Sequence, residues 1–204
     1  MKKQTIFSIF ILTIASLFVS CSYYESDFQL RQSVFIEDPE NLGLPIYSEW
    51  GYNTFGAFVD RQPFTSTHNQ MPAKIVVYPD TLNLIFTGVR GGVRTVMTFS
   101  FIGYAPRTYH DLIMLHGETI DLTDRTKSII TLAEGNNEPV EIAPFNGQFT
   151  FNRVQNLYID KELSNSIISG RFRFQTRFRN EYITIDRGRF DFTMGFDNFY
   201  YIPR

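Results

Sequence analysis

Four arginines near the C-terminal end of the chain share a spacing that suits the binding of an anion. They are Arg171, Arg173, Arg177 and Arg179. Phe172, Phe174 and Phe178 occupy alternate positions, and successive side chains of a β-strand point to opposite faces. The segment therefore predicts a strand that buries its phenylalanines and presents a row of guanidinium groups on the outside.

This arginine row has two interpretations. A guanidinium donates paired hydrogen bonds to a carboxylate or a phosphate, so the row suits an acidic glycan or a lipid phosphate. The alternative is that Asp186 and Asp191 of the neighbouring strand, or Glu181, neutralise the row as cross-strand pairs. The sequence favours neutralisation, because these acidic residues follow the row closely along the chain.

Four aromatic residues form a second group of candidate ligand-binding positions. They are Trp50, Tyr52, Tyr104 and Tyr109. They lie at the ends of predicted strands or in loops, where exposed rings stack on sugars. The aromatic tail from Phe196 to Tyr201 is a similar candidate. The alternative for all of them is packing in the core, since a two-layered β domain needs large side chains.

Metal and cofactor chemistry finds little support in the sequence. His68, His110 and His116 are the three histidines, and Cys21 is the one cysteine. A zinc site needs three or four suitably spaced ligands, and these residues do not supply that spacing. We expect no metal site, no cofactor and no catalytic histidine, although Asp111 follows His110 directly.

Two carboxylate pairs are candidates for glycoside hydrolysis, Asp121 with Asp124 and Glu138 with Glu141. Such enzymes need two carboxylates that face one another across a sugar. Residues three apart on a strand point to opposite faces, so neither pair fits without a bulge. We expect a protein without catalytic activity, and a β-sandwich glycoside hydrolase is the less favoured alternative.

The beginning of the chain has the layout of an export signal. Lys2 and Lys3 precede an uncharged apolar run from Ile6 to Val19. As a helix this run is about 21 Å long, too short for a hydrocarbon core of about 30 Å. Cys21 follows the leader directly, and a single thiol at that point indicates a processing site rather than a disulfide.

The residues Leu17-Phe18-Val19-Ser20-Cys21 resemble the lipobox of bacterial lipoproteins. The resemblance implies that residues 1–20 are removed and that Cys21 is acylated, which anchors the chain to a membrane without a spanning segment. By resemblance to better-known lipoproteins, Ser22 after the cysteine, where no aspartate stands, favours the outer membrane of the cell envelope. Glu25 and Asp27 loosely resemble a surface-export signal, so the periplasmic and the external face both stay open.

Composition predicts an all-β domain. Phenylalanine and tyrosine contribute 21 and 11 residues, and abundant aromatic residues favour strands. The formal net charge is −2, and removal of Lys2 and Lys3 makes it −4, which gives no reason to expect nucleic acid as a partner. We predict a tether over residues 21–49 and a β domain over residues 50–204.

Short apolar runs separated by turn residues predict an antiparallel β-sandwich or a partly open barrel of about ten strands. Gly91-Gly92 predicts a two-residue hairpin turn between strands at 82–90 and 93–102. We expect separate strands at 147–151 and 154–159, and again at 182–186 and 189–194. Residues 161–165 are expected to be a helical turn or a loop, and residues 34–36 an additional edge strand.

Two stretches resemble the opening and closing hairpins of uncharacterised lipoproteins of the Bacteroidota. The opening one is Asn53-Thr54-Phe55-Gly56-Ala57-Phe58-Val59-Asp60 with Pro63-Phe64. The closing one is Ile168-Ser169-Gly170-Arg171-Phe172-Arg173-Phe174, followed by Ile183-Thr184-Ile185 and Gly188-Arg189-Phe190-Asp191. The resemblance spans Trp50 to Met194 and implies one β-rich domain after a lipobox, with no activity to transfer. We expect a binding or accessory module for a glycan or an envelope protein, or a purely structural envelope component.

Overall fold

The computed structural model describes residues 33–66 and 71–203. These residues contain twelve β-strands and one short 3₁₀ helix. The elements are β1 (Thr54–Val59), β2 (Gln62–Thr65), β3 (Ala73–Tyr78), β4 (Thr81–Arg90), β5 (Val93–Ile102), the helix η1 (Tyr109–Leu115), β6 (Thr119–Asp121), β7 (Ser128–Glu134), β8 (Val140–Ile142), β9 (Asn146–Ile159), β10 (Glu162–Phe178), β11 (Glu181–Met194) and β12 (Phe199–Tyr201). Within these residues, no helix has the length and apolar character needed to cross a bilayer.

The strands form one curled sheet in the order β6-β9-β10-β11-β1-β2-β4-β5-β7-β8, with all of these neighbours antiparallel. β3 pairs with β4 on the same side as β2, and β12 runs parallel to β3. The sheet curls into a half-barrel. The prediction of an all-β fold, an antiparallel sandwich or partly open barrel of about ten strands, is therefore confirmed.

Phenylalanine rings fill the inside of the half-barrel. The ring of Phe86 on β4 lies 5.7 Å from that of Phe172 on β10. Phe99 on β5 lies 4.8 Å from Phe149 on β9. Because rings from opposite walls touch, the interior is core, and a ligand surface has to be sought on the outside.

The predicted hairpin at Gly91-Gly92 is confirmed, and both glycines have positive φ angles, 55° and 80°. A two-residue turn that matches the twist of its strands needs positive φ at both positions, which glycine adopts without a steric penalty. Asp160-Lys161 and Arg179-Asn180 make the same kind of turn without glycine. The two longest hairpins, β9–β10 and β10–β11, are closed by these turns.

β9, β10 and β11 are longer than the sequence predicts. The register between β9 and β10 shifts at Asn152, so that one bulged strand replaces the two expected ones. In β11 a bulge at Arg187, which has a φ of 53°, likewise makes one continuous strand of the two expected ones. The helical turn or loop expected at 161–165 is wrong, because β10 begins at Glu162 and pairs there with β9.

The tether predicted over residues 21–49 is wrong for its second part. Residues 33–53, here called the N-terminal segment, lie on the outer face of β10 and β11, where they contact Arg171, Arg189 and Asp191, and Leu44 is fully buried. The edge strand expected at 34–36 is replaced by a single bridge between Glu37 and Pro45. The packed unit therefore begins at Ser33 rather than at Trp50. The predicted leader, Cys21 and the rest of the tether lie outside the described residues.

Candidate binding site on the outer face of the sheet

The arginine row of β10 alternates as the sequence predicts. Arg171, Arg173 and Arg177 are exposed, as is Arg179 in the turn that follows. The three phenylalanines at the alternate positions are buried. The row therefore lies on the outer face of the half-barrel, opposite the aromatic core.

The two arginines at the turn are engaged in structural contacts. Arg179 lies 3.2 Å from the carboxylate of Glu134 on β7, and Glu134 also pairs with Arg90. Arg177 donates from Nε to the carbonyl of Asn180 at 3.4 Å. The expected partner Glu181 is replaced by Glu134, because the curl of the sheet brings the tip of β10–β11 to the end of β7.

The two arginines in the middle of the row are differently placed. The guanidinium of Arg171 lies over the ring of Tyr47, 4.6 Å from its centre. Within residues 33–66 and 71–203, neither Arg171 nor Arg173 forms an ion pair with a carboxylate. Both guanidinium groups therefore lie on the outer face without a hydrogen-bond partner in the part of the chain that the structure describes.

The expected neutralisation of these arginines by Asp186 and Asp191 is wrong. Asp191 is 1 % exposed, and its carboxylate accepts hydrogen bonds from the N-terminal segment. Asp186 lies 3.8 Å from Arg187, its neighbour in sequence. The bulge at Asp186-Arg187 sets two residues of β11 opposite Arg173, and this irregularity disturbs the regular cross-strand pairing.

β11 adds two arginines that the residue spacing within β10 does not predict. Arg189 lies directly opposite Arg171, and Arg187 lies in the bulge. Arg187 donates a hydrogen bond to the side-chain oxygen of Asn41. The sequence does predict an antiparallel hairpin here, and residues opposite one another in such a hairpin share a face. Pairing the two strands is therefore the step that would have placed these arginines on the outer face.

Shallow depressions join these arginines into one continuous groove, here called the outer groove. One depression, of about 410 Å³, is lined by Tyr47, Arg171 and Arg189, with Asp38 and Glu40 at its margin. The next, of about 260 Å³, shares Arg171 and Arg187 with the first and is lined further by Arg173, Asp186, Gln148 and Thr150. A third, of about 250 Å³, shares Arg173 and Asp186 with the second. The groove thus follows β10 across the outer face.

Asp38 controls the charge at one end of the outer groove. Its carboxylate accepts hydrogen bonds from Asn41 at 2.6 Å, from Arg189 at 2.5 Å and from the backbone N–H of Glu40 at 2.9 Å. The hydrogen bonds from Asn41 and Arg189 lower the pKa of Asp38 to about 2. Arg189 is therefore neutralised by Asp38, and Arg187 lies 3.8 Å from the carboxylate of Asp186, so Arg171 and Arg173 are the arginines of the groove without a carboxylate partner among the described residues.

Tyr47 forms the floor beneath Arg171. Its hydroxyl donates a hydrogen bond to Glu49 at 2.9 Å. Burial raises the pKa of Tyr47 to about 12, so the phenol is neutral at physiological pH. A neutral aromatic face attracts a guanidinium through its π electrons and holds it in place without neutralising its charge.

The four candidate aromatic residues do not come together. Trp50 is 74 % exposed on the N-terminal segment and shares the outer face with the arginine row. Tyr52 is half-buried on the same segment. Tyr104 packs against the core, and burial raises its pKa. Tyr109 is buried at the start of η1, so the expectation of an exposed ring is wrong there.

Of the remaining candidates for chemistry, His116 and Asp111 have structural roles, whereas Nδ1 of His110 is buried without a hydrogen-bond partner in the described part of the chain. His68 lies outside the described residues, and His116 accepts a hydrogen bond at Nδ1 from the N–H of Val154 at 3.0 Å. Asp111 caps η1 by accepting from the backbone N–H of Thr108 at 2.9 Å. Among the described residues, no three potential metal ligands lie together.

Three of the four carboxylates that are candidates for glycoside hydrolysis have turn contacts or an ion pair, namely Asp121, Asp124 and Glu141. Hydrogen bonds from Thr123 lower the pKa of Asp121, and hydrogen bonds from Thr126 lower that of Asp124. A glycosidase needs one carboxyl with a raised pKa to act as the general acid, the opposite of what these aspartates show. Glu141 forms an ion pair with Arg125.

Comparisons of the chain with family models, with curated proteins and with solved structures return no match. The chain is therefore assigned to no family, and its function is inferred from its own residues.

Proposed function

We propose that this protein is a lipid-anchored, non-catalytic module of the cell envelope that binds an acidic glycan in the outer groove. The observation that carries the proposal is the pair Arg171 and Arg173, which lie side by side on an open face without a carboxylate partner among the described residues.

Arginine suits this ligand because its planar guanidinium donates two parallel hydrogen bonds to one carboxylate or phosphate group. Residues two apart on a strand stand about 7 Å apart on the same face, so the two arginines can hold successive anionic groups. The groove is shallow and elongated, which favours an extended polymer over a compact small molecule. Trp50 adds an exposed ring on the same face for stacking on a sugar.

The membrane attachment rests on the leader and on Cys21. Acylation of that thiol holds the domain at a bilayer, and two or three chains make the attachment stable. Mass spectrometry of the protein isolated from its host tests this part of the proposal. Diacylglycerol on Cys21 is the expected result, whereas an unmodified thiol in the mature protein would refute the anchor.

Glycan binding is tested by titrating the purified protein with polygalacturonate, a carboxylated polysaccharide, and with neutral dextran. We expect saturable binding of polygalacturonate that weakens with salt, since the ionic contacts are screened. The variant Arg171→Gln/Arg173→Gln should bind at least tenfold more weakly, and Arg171→Lys/Arg173→Lys should be intermediate because lysine keeps the charge but loses the paired hydrogen bonds.

The control variant is Arg94→Gln/Arg107→Gln, which removes the same charge from two exposed positions outside the groove. It should bind like the unaltered protein. If both double variants lose the same affinity, net charge and not the groove governs binding. If no anionic polysaccharide binds, a purely structural envelope component becomes the better description.

A further inference from the structure

Apolar side chains are concentrated at the tip of the longest protruding hairpin. β9 and β10 continue beyond the end of β11, because Ser166 pairs with Met194 while the turn lies at Asp160-Lys161. At this tip Tyr158 is 64 % exposed and Ile159 is 63 % exposed, and Leu163 lies directly opposite Tyr158. Three large apolar side chains therefore stand in solvent at the tip of a hairpin.

Two neighbouring segments expose apolar side chains at the same end. Asn156 of β9 donates to the carbonyl of His110 at 3.2 Å, which places η1 beside the hairpin, and Ile113 and Met114 of η1 are about half-exposed. Phe196, after β11, is 85 % exposed, and its ring lies 5.2 Å from that of Tyr109 in η1. The hairpin tip, η1 and Phe196 together are here called the apolar end.

The described chain also enters the domain at this end. The N–H of Val34 donates to the carbonyl of Tyr52 at 2.8 Å. Next to Tyr52, the carbonyl of Gly51 accepts from the hydroxyl of Thr193, one residue before the end of β11. Only residues 22–32 separate Ser33 from Cys21, a stretch that spans at most about 40 Å.

We propose that the apolar end lies against the lipid bilayer, with the side chains of the hairpin tip, η1 and Phe196 in the headgroup region. This orientation rests on the proposed anchor at Cys21. The short connection holds the end that carries Ser33 near the membrane, so a weak apolar contact suffices to orient the domain. The charged residues Asp160, Lys161 and Glu162 at the tip limit its depth to the interface.

The orientation directs the outer groove away from direct contact with lipid. Arg171 and Arg173 lie on the side wall of the half-barrel, between the apolar end and the opposite β10–β11 turn at Arg179-Asn180. A glycan in the groove therefore reaches the protein from the side, parallel to the membrane surface.

The test uses tryptophan fluorescence on vesicles of phosphatidylethanolamine and phosphatidylglycerol that contain a lipid with a nitroxide in its headgroup region. Trp50 is the one tryptophan of the chain and is replaced by phenylalanine. Tyr158→Trp then reports on the apolar end. Tyr182→Trp is the matched control, because Tyr182 is 74 % exposed at the opposite end. We expect at least threefold stronger quenching for Tyr158→Trp than for Tyr182→Trp.

The attachment in this experiment is made chemically, by coupling the single thiol of Cys21 to a maleimide lipid in the chain that begins at that residue. The orientation is thereby tested whether or not the cell acylates Cys21, which the mass of the native protein decides separately. Equal quenching at the two positions, or stronger quenching for Tyr182→Trp, would overturn the proposed orientation. The same holds if Ile159→Ser/Leu163→Ser leaves the quenching of Tyr158→Trp unchanged.

Discussion

Arg171 on β10 lies directly opposite Arg189 on β11 in the antiparallel register. Like charges in this position repel one another and destabilise a sheet. The N-terminal segment offsets the repulsion on both strands, because Asp38 accepts from Arg189 and Tyr47 lies beneath Arg171. The segment therefore sets the charge of the outer groove, and residues far apart in sequence determine which arginine is available to a ligand.

The substitution Asp38→Asn should strengthen the binding of an acidic polysaccharide. It frees Arg189 from its carboxylate partner, so that Arg189 joins Arg171 and Arg173 as an arginine of the groove without a carboxylate partner in the described chain. Because an exposed charge contact contributes modestly, we expect the dissociation constant for polygalacturonate to fall roughly threefold at neutral pH. Titration of both proteins at equal ionic strength measures the change.

Asp80→Asn is the matched control for that experiment, since Asp80 is exposed and lies outside the groove. It removes the same charge and should leave the affinity unaltered. Weaker binding by Asp38→Asn would mean that Asp38 holds the groove in its binding conformation, which contradicts a role in neutralising Arg189.

Asp38 should also give the fold an acid-sensitive contribution. Its pKa is lowered to about 2 from an ordinary value of 3.8, so the folded protein binds the proton less readily than the unfolded chain does. The stabilisation is therefore present above about pH 4 and is lost as the pH falls from about 4 to about 2. Thermal unfolding of the unaltered protein and of Asp38→Asn across this range measures it.

The difference in melting temperature between these two proteins should be constant above about pH 5 and should shrink towards pH 2. Asp121 and Asp124 also have lowered pKa values, but they are present in both proteins and cancel in the difference. A difference that stays constant down to pH 2 would show that the ion pair of Asp38 with Arg189 does not stabilise the fold.

The two faces of β10 follow from its sequence, because phenylalanine and arginine alternate with the period of a strand. The two arginines of β11 do not follow in the same way. Arg187 and Arg189 enter the groove through the register of β11 with β10 and through a bulge. Register depends on contacts between distant segments, which the pattern of a single strand does not contain.

The N-terminal segment shows the same limit more strongly. It has no apolar period, and Leu44 and Pro45 are the buried apolar residues within 33–53, so its composition is that of a tether. What holds it to the sheet is a set of polar contacts to Arg189 and Asp191. Tyr109 is a related case, since a tyrosine in a short 3₁₀ helix and a tyrosine in an exposed loop have the same sequence signal.

We predict that Asp191 contributes most to holding the N-terminal segment on the sheet. Its buried carboxylate accepts hydrogen bonds from the hydroxyl of Ser48 and from the backbone N–H groups of Gly51 at 2.8 Å and Tyr52 at 3.0 Å. Asp191→Ala leaves these donors without a partner, and buried unpaired groups are costly. We expect a loss of about 3 kcal/mol in the free energy of unfolding, measured by urea denaturation.

The same substitution should release the segment before the sheet itself unfolds, because β10 and β11 keep their backbone pairing without it. The fluorescence emission of Trp50 reports on that release, because the backbone N–H of Trp50 also donates to Asp191 at 3.3 Å. Limited proteolysis should then cut within residues 33–53.

Asp186→Ala on the same strand is the control. Asp186 is exposed, and its one ion pair within the described chain is with its neighbour Arg187. If Asp191→Ala unfolds at the same urea concentration as Asp186→Ala and resists protease equally, the segment is held by Leu44 and Asp38 instead. The shape of the groove would then depend on the burial of Leu44 and on the ion pair of Asp38 with Arg189. Asp38 would in that case determine both the charge of the groove and the attachment of the segment.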